Sequence, residues 1–124
     1  MAVSLNDLVS YLDDYLRCDD VQDSPHALNG LQVENQEGTV TRLAAAVDAC
    51  RATIERAVSL EADFMLVHHG LFWGGLQPLA GQHGRRVRTL ITNGVALYSA
   101  HLPLDMHPEI GNNAVLARVL GLER

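Results

Sequence analysis

The sequence lacks the two features that would direct a chain into or through a membrane. Its apolar runs are much shorter than the roughly 20 residues that a membrane-spanning helix requires. Residues 1–7 also lack the charged and then apolar layout of a signal peptide. We therefore expect a cytoplasmic protein with no membrane partner.

Cysteine is scarce as well. The two cysteines, Cys18 and Cys50, lie far apart and in no spacing that is typical of a metal or redox motif. Thiols stay reduced in the compartment that we expect for this chain. We therefore predict two free thiols, both mostly buried.

Positive charge is outnumbered by negative charge. Nine lysine and arginine residues stand against 15 acidic residues, which gives a formal net charge of −6. A surface of this kind has no general cationic field, so a nucleic-acid partner is not expected and attraction to an anionic membrane is not favoured. The length of 124 residues suits one compact domain, and we expect residues 1–124 to form a single α/β domain.

The most informative stretch that is present is the apolar run from Phe64 to Val67, which ends abruptly in His68, His69 and Gly70. A short continuous apolar run is typical of a strand that is buried on both faces, as in a parallel sheet covered by helices. Open sheets of this type place their chemistry at the carboxyl ends of the strands. The two histidines lie at the predicted end of such a strand.

The rest of the chain predicts strand-helix-strand units in a layered sheet with helices covering both faces, which is an α/β fold. In the first half of the chain we expect a helix over 5–16 with its start at Ser4, a loop over 19–25, a half-buried strand over 31–34, a buried strand over 40–47 and a helix capped by Asp48. In the second half we expect the strand over 64–69, a loop over 70–84, a helix over 85–92 ended by Asn93 and Gly94, a strand over 95–100 and a last helix from Gly111.

A second strand end also carries groups that could bind metal. The strand over 95–100 is followed by His101-Leu102-Pro103-Leu104-Asp105, in which proline prevents an interior strand from continuing. Right-handed crossovers would bring this end to the same edge of the sheet as His68 and His69. Neutral imidazole and carboxylate groups suit zinc, iron, manganese, nickel or cobalt. The sequence therefore predicts that His68, His69, His101 and Asp105 converge at this edge, where a metal site could form.

Adjacent side chains of a regular strand point to opposite faces, so His68 and His69 could not chelate one ion if the strand stayed regular. Either Gly70 relaxes this constraint, or the two histidines serve two neighbouring ions that Asp105 bridges. Two-metal sites polarise a substrate and activate a water molecule, so hydrolysis is the reaction class that follows. A purely structural role for the histidine pair, and a turn or capping role for Asp105, remain open.

Two other groups of residues have alternative interpretations. Arg85, Arg86 and Arg88 could bind a phosphate, although a charge run near a helix start is more often solvated. Phe72 and Trp73 could belong to the core, to a subunit interface or to the wall of a binding site.

Three motifs together resemble the amino-terminal half of the Nif-three-like family, whose members are commonly labelled type 2 GTP cyclohydrolase I homologues. The resemblance extends over practically the whole chain. The motifs are Asn29-Gly30-Leu31-Gln32-Val33-Glu34, Val67-His68-His69-Gly70 with Phe72-Trp73, and His101-Leu102-Pro103-Leu104-Asp105 with Gly111-Asn112-Asn113.

The resemblance implies that His68, His69 and Asp105 are ligands of a dinuclear centre of divalent transition-metal ions. In the family, a histidine and a glutamate from a carboxyl-terminal half complete the site, and this sequence does not include that half. We therefore expect the chain to be a fragment or a shortened relative whose three ligands hold metal weakly. Family members form toroidal hexamers, so a homo-oligomer is the expected assembly.

The family label also implies a reaction and a substrate. It implies hydrolytic opening of the guanine imidazole ring of GTP with release of formate, in which His101 is the expected catalytic residue that moves protons. The expected partner is thus a small-molecule substrate, for which a nucleotide is the candidate. The alternative is a non-enzymatic protein that uses the same residues to bind metal or a partner.

Overall fold

The computed structural model describes residues 1–122 and contains six strands and five helices within them. In chain order they are β1 (Val3–Ser4), α1 (Leu5–Leu16), β2 (Gly30–Val33), β3 (Thr39–Val40), β4 (Leu43–Asp48), α2 (Arg51–Ser59), β5 (Phe64–His69), α3 (Gly81–Thr92), β6 (Ala96–Ser99), α4 (Leu102–Asp105) and α5 (Asn112–Val119). None of the helices in this part of the chain is long and apolar enough to cross a membrane.

Four strands form the main sheet in the order β2-β6-β5-β4. Strand β5 pairs in parallel with both β4 and β6, whereas β2 pairs antiparallel with β6. Strands β1 and β3 form a separate two-stranded sheet. The predicted strand that ends in the two histidines is therefore confirmed. Its neighbour β6 runs in the same direction, so the two strands end at the same edge of the sheet.

Helices cover both faces of this sheet, as the sequence predicts. Because side chains alternate along a strand, Met65 and Val67 pack towards one face, in a cluster with residues of α2 and α3. Phe64 and Tyr98 lie in a second cluster with residues of α1. The α/β fold class is thereby confirmed.

Several predicted boundaries are also confirmed. Helix α1 begins at Ser4, whose hydroxyl accepts a hydrogen bond from the amide of Asp7 at 3.4 Å. Asn93 is the C-cap residue of α3, and Gly94 adopts the left-handed conformation with φ of 64°. The acidic segment after α1 is irregular, as expected.

The prediction of one buried strand over 40–47 is wrong. The chain breaks between β3 and β4, and β4 forms an edge of the main sheet, where the side chain of Val47 is 63% exposed and that of Leu43 is 48% exposed. The break has a local cause: the Asp63 carboxylate accepts hydrogen bonds from the amides of Thr41 and Arg42 at 2.8 and 2.9 Å, which turns the chain away from β3.

Two predicted helix starts are also wrong. Helix α2 begins at Arg51 with Cys50 as its N-cap residue, while Asp48 is the last residue of β4 and is not the cap. Helix α3 begins at Gly81 instead of at residue 85. Glycine is a poor helix former, so Gly81 and Gly84 conceal the first turn of α3 from a prediction based on propensity.

Both thiols are free, as predicted, but only one of them is partly buried. The Cys18 sulfur lies 3.2 Å from the Tyr98 hydroxyl. Burial, together with the carboxylates of Asp13 and Asp19, raises the pKa of Cys18 despite that contact. Cys50 is exposed because it caps α2 at the rim of the sheet, so the expectation that it is mostly buried is wrong.

The hydrogen bonds of Asp63 generate a prediction about stability. Burial opposes ionisation of this carboxyl group, but hydrogen bonds from Thr41 and Arg42 prevail and lower its pKa. We expect Asp63→Ala to lower the free energy of unfolding by about 2 kcal/mol at pH 7, because two amides lose their acceptor. Urea denaturation measures this change.

The same substitution should matter less in acid. The folded pKa of Asp63 lies below the unfolded value of about 3.9, so the stabilisation is present above that value and is lost as the pH falls through the folded pKa. The difference between the native chain and Asp63→Ala should therefore shrink at pH 2. Asp19→Ala, at an exposed position, serves as the control, and an equal loss of stability in this control would contradict the assignment.

Candidate functional site

Three histidines come together at the carboxyl edge of the main sheet. His68 and His69 are the last two residues of β5, and His101 follows the end of β6 by two residues. One ligand atom from each imidazole lies within 4.8 Å of the others, an arrangement that could hold a metal ion. The ring centroid of His101 lies 4.9 Å from that of His68 and 5.6 Å from that of His69.

The expected obstacle to a shared ion does not arise. Although His68 and His69 are consecutive residues of a strand, their ring centroids are only 4.5 Å apart. Both residues lie at the very end of β5, and their rings approach each other beyond the end of the strand. Gly70 follows immediately and leaves room for Gln32, since a Cβ atom at Gly70 would overlap the side-chain amide of Gln32.

The Nδ1 atom of each histidine already has a partner. In His68 it lies 2.9 Å from the carbonyl oxygen of Ala100, in His69 it lies 2.6 Å from Oδ1 of Asp48, and in His101 it lies 3.0 Å from Oδ2 of Asp23. All three partners are acceptors, so in each neutral imidazole the proton resides on Nδ1. The Nε2 lone pair of each ring is therefore free to bind a cation.

Asp105 lies beside this cluster. Its Oδ2 atom is 3.5 Å from Nε2 of His68, and its Oδ1 atom accepts a hydrogen bond of 2.6 Å from the side-chain amide of Asn112. Asn112 is the first residue of α5, so the last helix orients the carboxylate. Gly111 permits this approach, because a Cβ atom there would overlap the carbonyl oxygen of His107.

Asp23 is a site residue that the sequence did not reveal. Its side chain is only 6% exposed. Burial disfavours its charged form, yet hydrogen bonds from Asn29, the Leu102 amide, His101 and the Ser24 amide outweigh this effect and lower the pKa to about 2. Asn29 also accepts a hydrogen bond of 2.7 Å from the amide of His101. The acidic segment predicted only as a loop thus supplies a buried anion that positions His101.

Asp48 has a comparable role on the other side of the cluster. The sequence predicts a helix cap at this position, but its carboxylate accepts from His69 instead. Asp48 and His69 are paired residues of β4 and β5, so the parallel register brings the two side chains together. A sequence pattern could have identified this contact only if the register of the strands had been known.

Phe72 and Trp73, the two aromatic residues after the histidine pair, have different roles. The ring of Trp73 packs edge-on against His101 at a centroid distance of 4.7 Å, so it forms a wall of the site. Its buried Nε1 has no acceptor among the described residues. Phe72 instead packs against the core cluster between the sheet and helices α2 and α3.

Comparison with known proteins identifies relatives of this chain. A sequence model of the Duf34/NIF3 family, described as NGG1p interacting factor 3, matches residues 3–124. The chain is 47% identical over 124 residues to a Pseudomonas aeruginosa protein named GTP cyclohydrolase 1 type 2 homolog, a match that covers 99% of this chain and 48% of the relative. A Pyrococcus abyssi protein of the same name is 46% identical over 117 residues, which cover 94% of this chain and 46% of the relative.

A solved structure is similarly close. The crystal structure of TTHA1606 from Thermus thermophilus matches with a TM-score of 0.91 and 53% sequence identity, over 98% of this chain and 49% of that chain. The chain therefore spans about half the length of the relatives that it matches. The family resemblance carried by the three motifs is confirmed, and the chain belongs to the Duf34/NIF3 family.

Proposed function

We propose that this chain supplies metal ligands to a metal-dependent hydrolase that resembles GTP cyclohydrolase 1 type 2. The observation that carries the proposal is the orientation of three imidazoles, each of which has its Nδ1 atom held by an acceptor, so that its Nε2 lone pair is available for a cation or a proton. The names of the relatives supply the reaction type.

The donor set fits a divalent transition metal. His68, His69 and His101 offer neutral nitrogen ligands within one small volume, and Asp105 offers a carboxylate beside them. Such ligands suit zinc, iron, manganese, nickel or cobalt. Contacts from carboxylates and carbonyls to the distal nitrogen are the usual support of a metal-binding histidine, because they fix the tautomer and the ring orientation.

We further propose that the complete site holds two ions, with Asp105 shared between them. The position of Asp105 at the margin of the histidine cluster supports this arrangement. Three imidazoles and one carboxylate are too few donors for two ions, each of which needs about four ligands. The remaining donors would come from outside this chain, in keeping with the greater length of its relatives.

When bound, the ions would polarise the substrate and activate water for attack at neutral pH. His101 would move protons at its Nε2 atom, since Asp23 holds its Nδ1 atom as a carboxylate holds a catalytic histidine in other hydrolases. Metal ligation and proton transfer exclude each other at this nitrogen, so in the proposed hydrolase His68, His69 and Asp105 are the ligands and His101 carries the proton. The ring of Trp73, which packs edge-on against His101, would form a wall for the substrate.

The proposed substrate is a small molecule of the nucleotide class, GTP in the first instance, whose guanine imidazole ring would be opened by water with release of formate. This reaction suits the expected cytoplasmic location. We also propose that the chain forms a homo-oligomer, as expected from the family. The exposed apolar residues on β4 and α5 support self-association, since large apolar patches are rarely left open to water.

A second candidate function is non-enzymatic binding of metal or of a partner. The family description, NGG1p interacting factor 3, names an interacting factor and no reaction, which favours this alternative. The same histidines would then hold a structural ion or one that is sensed.

The contacts to Nδ1 generate a prediction about metal affinity. We expect Asp48→Ala to weaken Zn²⁺ or Co²⁺ binding by about 10- to 100-fold, because His69 loses the acceptor that fixes its tautomer and orientation. The Asp48 side chain is 59% exposed, so the fold should survive its removal. Competition with a chromophoric chelator measures the affinity.

Asp20→Ala provides the matched control for Asp48→Ala. Asp20 is also an exposed aspartate, but it pairs with Arg17 away from the histidines, and its loss should leave metal affinity unchanged. Equal affinities of the native chain and Asp48→Ala for metal would contradict the assignment of the free Nε2 atoms as ligands.

Turnover separates the two candidate functions. Metal-loaded chain, joined to the remaining part of the Pseudomonas aeruginosa relative and incubated with GTP, should release formate, and His68→Ala should abolish this release because a metal ligand is lost. His26→Ala, outside the cluster, should retain it. Formate detection and circular dichroism of each variant form the assay. Stoichiometric metal binding without any formate would reject hydrolysis of GTP by this chain and favour the non-enzymatic alternative.

A further inference from the structure

A second polar site lies beside the histidine cluster, in a cavity of about 440 Å³ between helices α2 and α3. Four arginines line it, and we call it the arginine cavity: Arg51, Arg85, Arg86 and Arg88. The chain as a whole carries a net charge of −6 and only nine basic residues, so four of them in one cavity form a local reversal of charge. Among the described residues, the single acidic side chain in its lining is that of Glu55, which pairs with Arg51 at 2.6 Å.

The other three arginines have no carboxylate partner within residues 1–122. One nitrogen of Arg86, Nη1, donates to the carbonyl oxygen of Ala49 at 3.2 Å, whereas its buried Nε atom has no acceptor in the described structure. Burying a charged donor without a partner is costly. Within residues 1–122, the cavity thus presents three guanidinium groups that no carboxylate neutralises.

The spacing of these arginines adds electrostatic repulsion to the cost of burying the Arg86 donor. Arg85 and Arg88 are three residues apart on α3, where side chains are neighbours and like charges repel. A solvated helix face would explain Arg85 and Arg88, which are exposed, but it does not explain the buried Nε atom of Arg86. A bound anion would relieve the repulsion between Arg85 and Arg88 and would neutralise part of the charge of Arg86.

The arginine cavity adjoins the histidine cluster through the backbone. Ala49, whose carbonyl oxygen accepts from Arg86, donates its own amide hydrogen to the carbonyl oxygen of His69 at 2.9 Å. Asp48, the preceding residue, holds the imidazole of His69, and Cys50, the following residue, lines the cavity. Three consecutive residues thus connect the two sites.

We propose that the arginine cavity binds the phosphate chain of the small molecule whose other end lies at the histidine cluster. Guanidinium groups bind phosphate oxygens in pairs, through two parallel hydrogen bonds, which makes arginine the preferred residue for this chemistry. The inference rests on the proposed function for the identity of the whole ligand, but binding of phosphate groups in the cavity does not require metal. The ligand class is a nucleotide or another compound with a chain of phosphates.

The test is calorimetric titration of the metal-free chain, in EDTA and at constant ionic strength, with inorganic triphosphate, GTP and guanosine. Triphosphate and GTP should bind, and guanosine should bind at least tenfold more weakly than GTP. In the double variant Arg85→Gln/Arg88→Gln, affinity for triphosphate and GTP should fall by at least tenfold. Neither residue is buried, so this variant should fold.

Arg56→Gln is the matched control, because Arg56 lies on α2 but does not line the cavity. It should bind triphosphate as the native chain does. Binding of GTP without binding of triphosphate would overturn the proposal, as would equal affinities in the native chain and the double variant. Triphosphate binding that depends on Arg85 and Arg88, in a chain that binds no metal or releases no formate, would leave the phosphate site intact and reject only the proposed hydrolase.

Alkylation of Cys50 gives an independent readout in the same samples. Cys50 lines the cavity and is exposed, so triphosphate should slow its reaction with iodoacetamide at least threefold in the native chain and in Arg56→Gln. The double variant should show no protection. Cys18, which is partly buried outside the cavity, provides the internal reference. Equal protection of both cysteines, or protection in the double variant, would place the triphosphate elsewhere.

Discussion

The candidate site depends most on the buried carboxylate of Asp23. This group accepts hydrogen bonds from the side chains of Asn29 and His101 and from the amide of Leu102. It therefore joins the segment before β2 to the segment after β6, which lie 78 positions apart in the sequence at Asp23 and His101. Because the carboxylate is ionised and almost fully enclosed, these donors satisfy a charge that could not otherwise remain buried. The position of His101 over the end of β5 follows from this single anion.

In all three histidines the Nδ1 atom contacts an acceptor, but the acceptor differs in kind. His68 is held by a backbone carbonyl, His69 by an exposed carboxylate and His101 by a buried one. A hydrogen-bonded ring loses rotational freedom, which costs conformational entropy. Three neighbouring rings that are all ordered in this way are typical of a site that binds a common ligand. Pre-oriented Nε2 atoms lower the cost of binding a cation, since the ordering has already occurred during folding. Asn112 extends the same logic to Asp105 through a hydrogen bond from the start of α5.

Local pattern was sufficient for the parts of the fold that depend on neighbours in sequence. The apolar run before His68 and the turn at Asn93 and Gly94 identified β5 and the end of α3, and the parallel crossover rule brought His101 to the edge of the sheet that carries His68 and His69. The exposure of β4 could not be predicted, because its alanine-rich sequence suits a strand at the centre of a sheet and a strand at the edge equally well. Strand order decides which position it takes.

The roles of Asp23 and Asp48 were hidden for the same reason. Each aspartate acts on a histidine that is distant in sequence, so its function appears only once the strands are in register. Asn29 and Gly111 were singled out by the family motifs, and the structure explains them: Asn29 holds both Asp23 and the backbone of His101, and Gly111 lets the start of α5 pack closely under Asp105. These residues support the ligands without being ligands themselves.

The turn from Asp48 to Cys50 lies between the histidine cluster and the arginine cavity and contacts both. It begins at the end of β4 with a carboxylate directed to His69, continues with the carbonyl group of Ala49 directed to Arg86, and ends at the N-cap of α2. Thr53 fixes this turn by donating to the carbonyl oxygen of Asp48 and accepting from the amide of Cys50. Because this turn contains only three residues, the groups that contact His69 and Arg86 are next to each other in the chain. A ligand with an anionic tail and a reactive head would therefore meet the imidazole cluster and the arginine cavity on the two sides of one short turn.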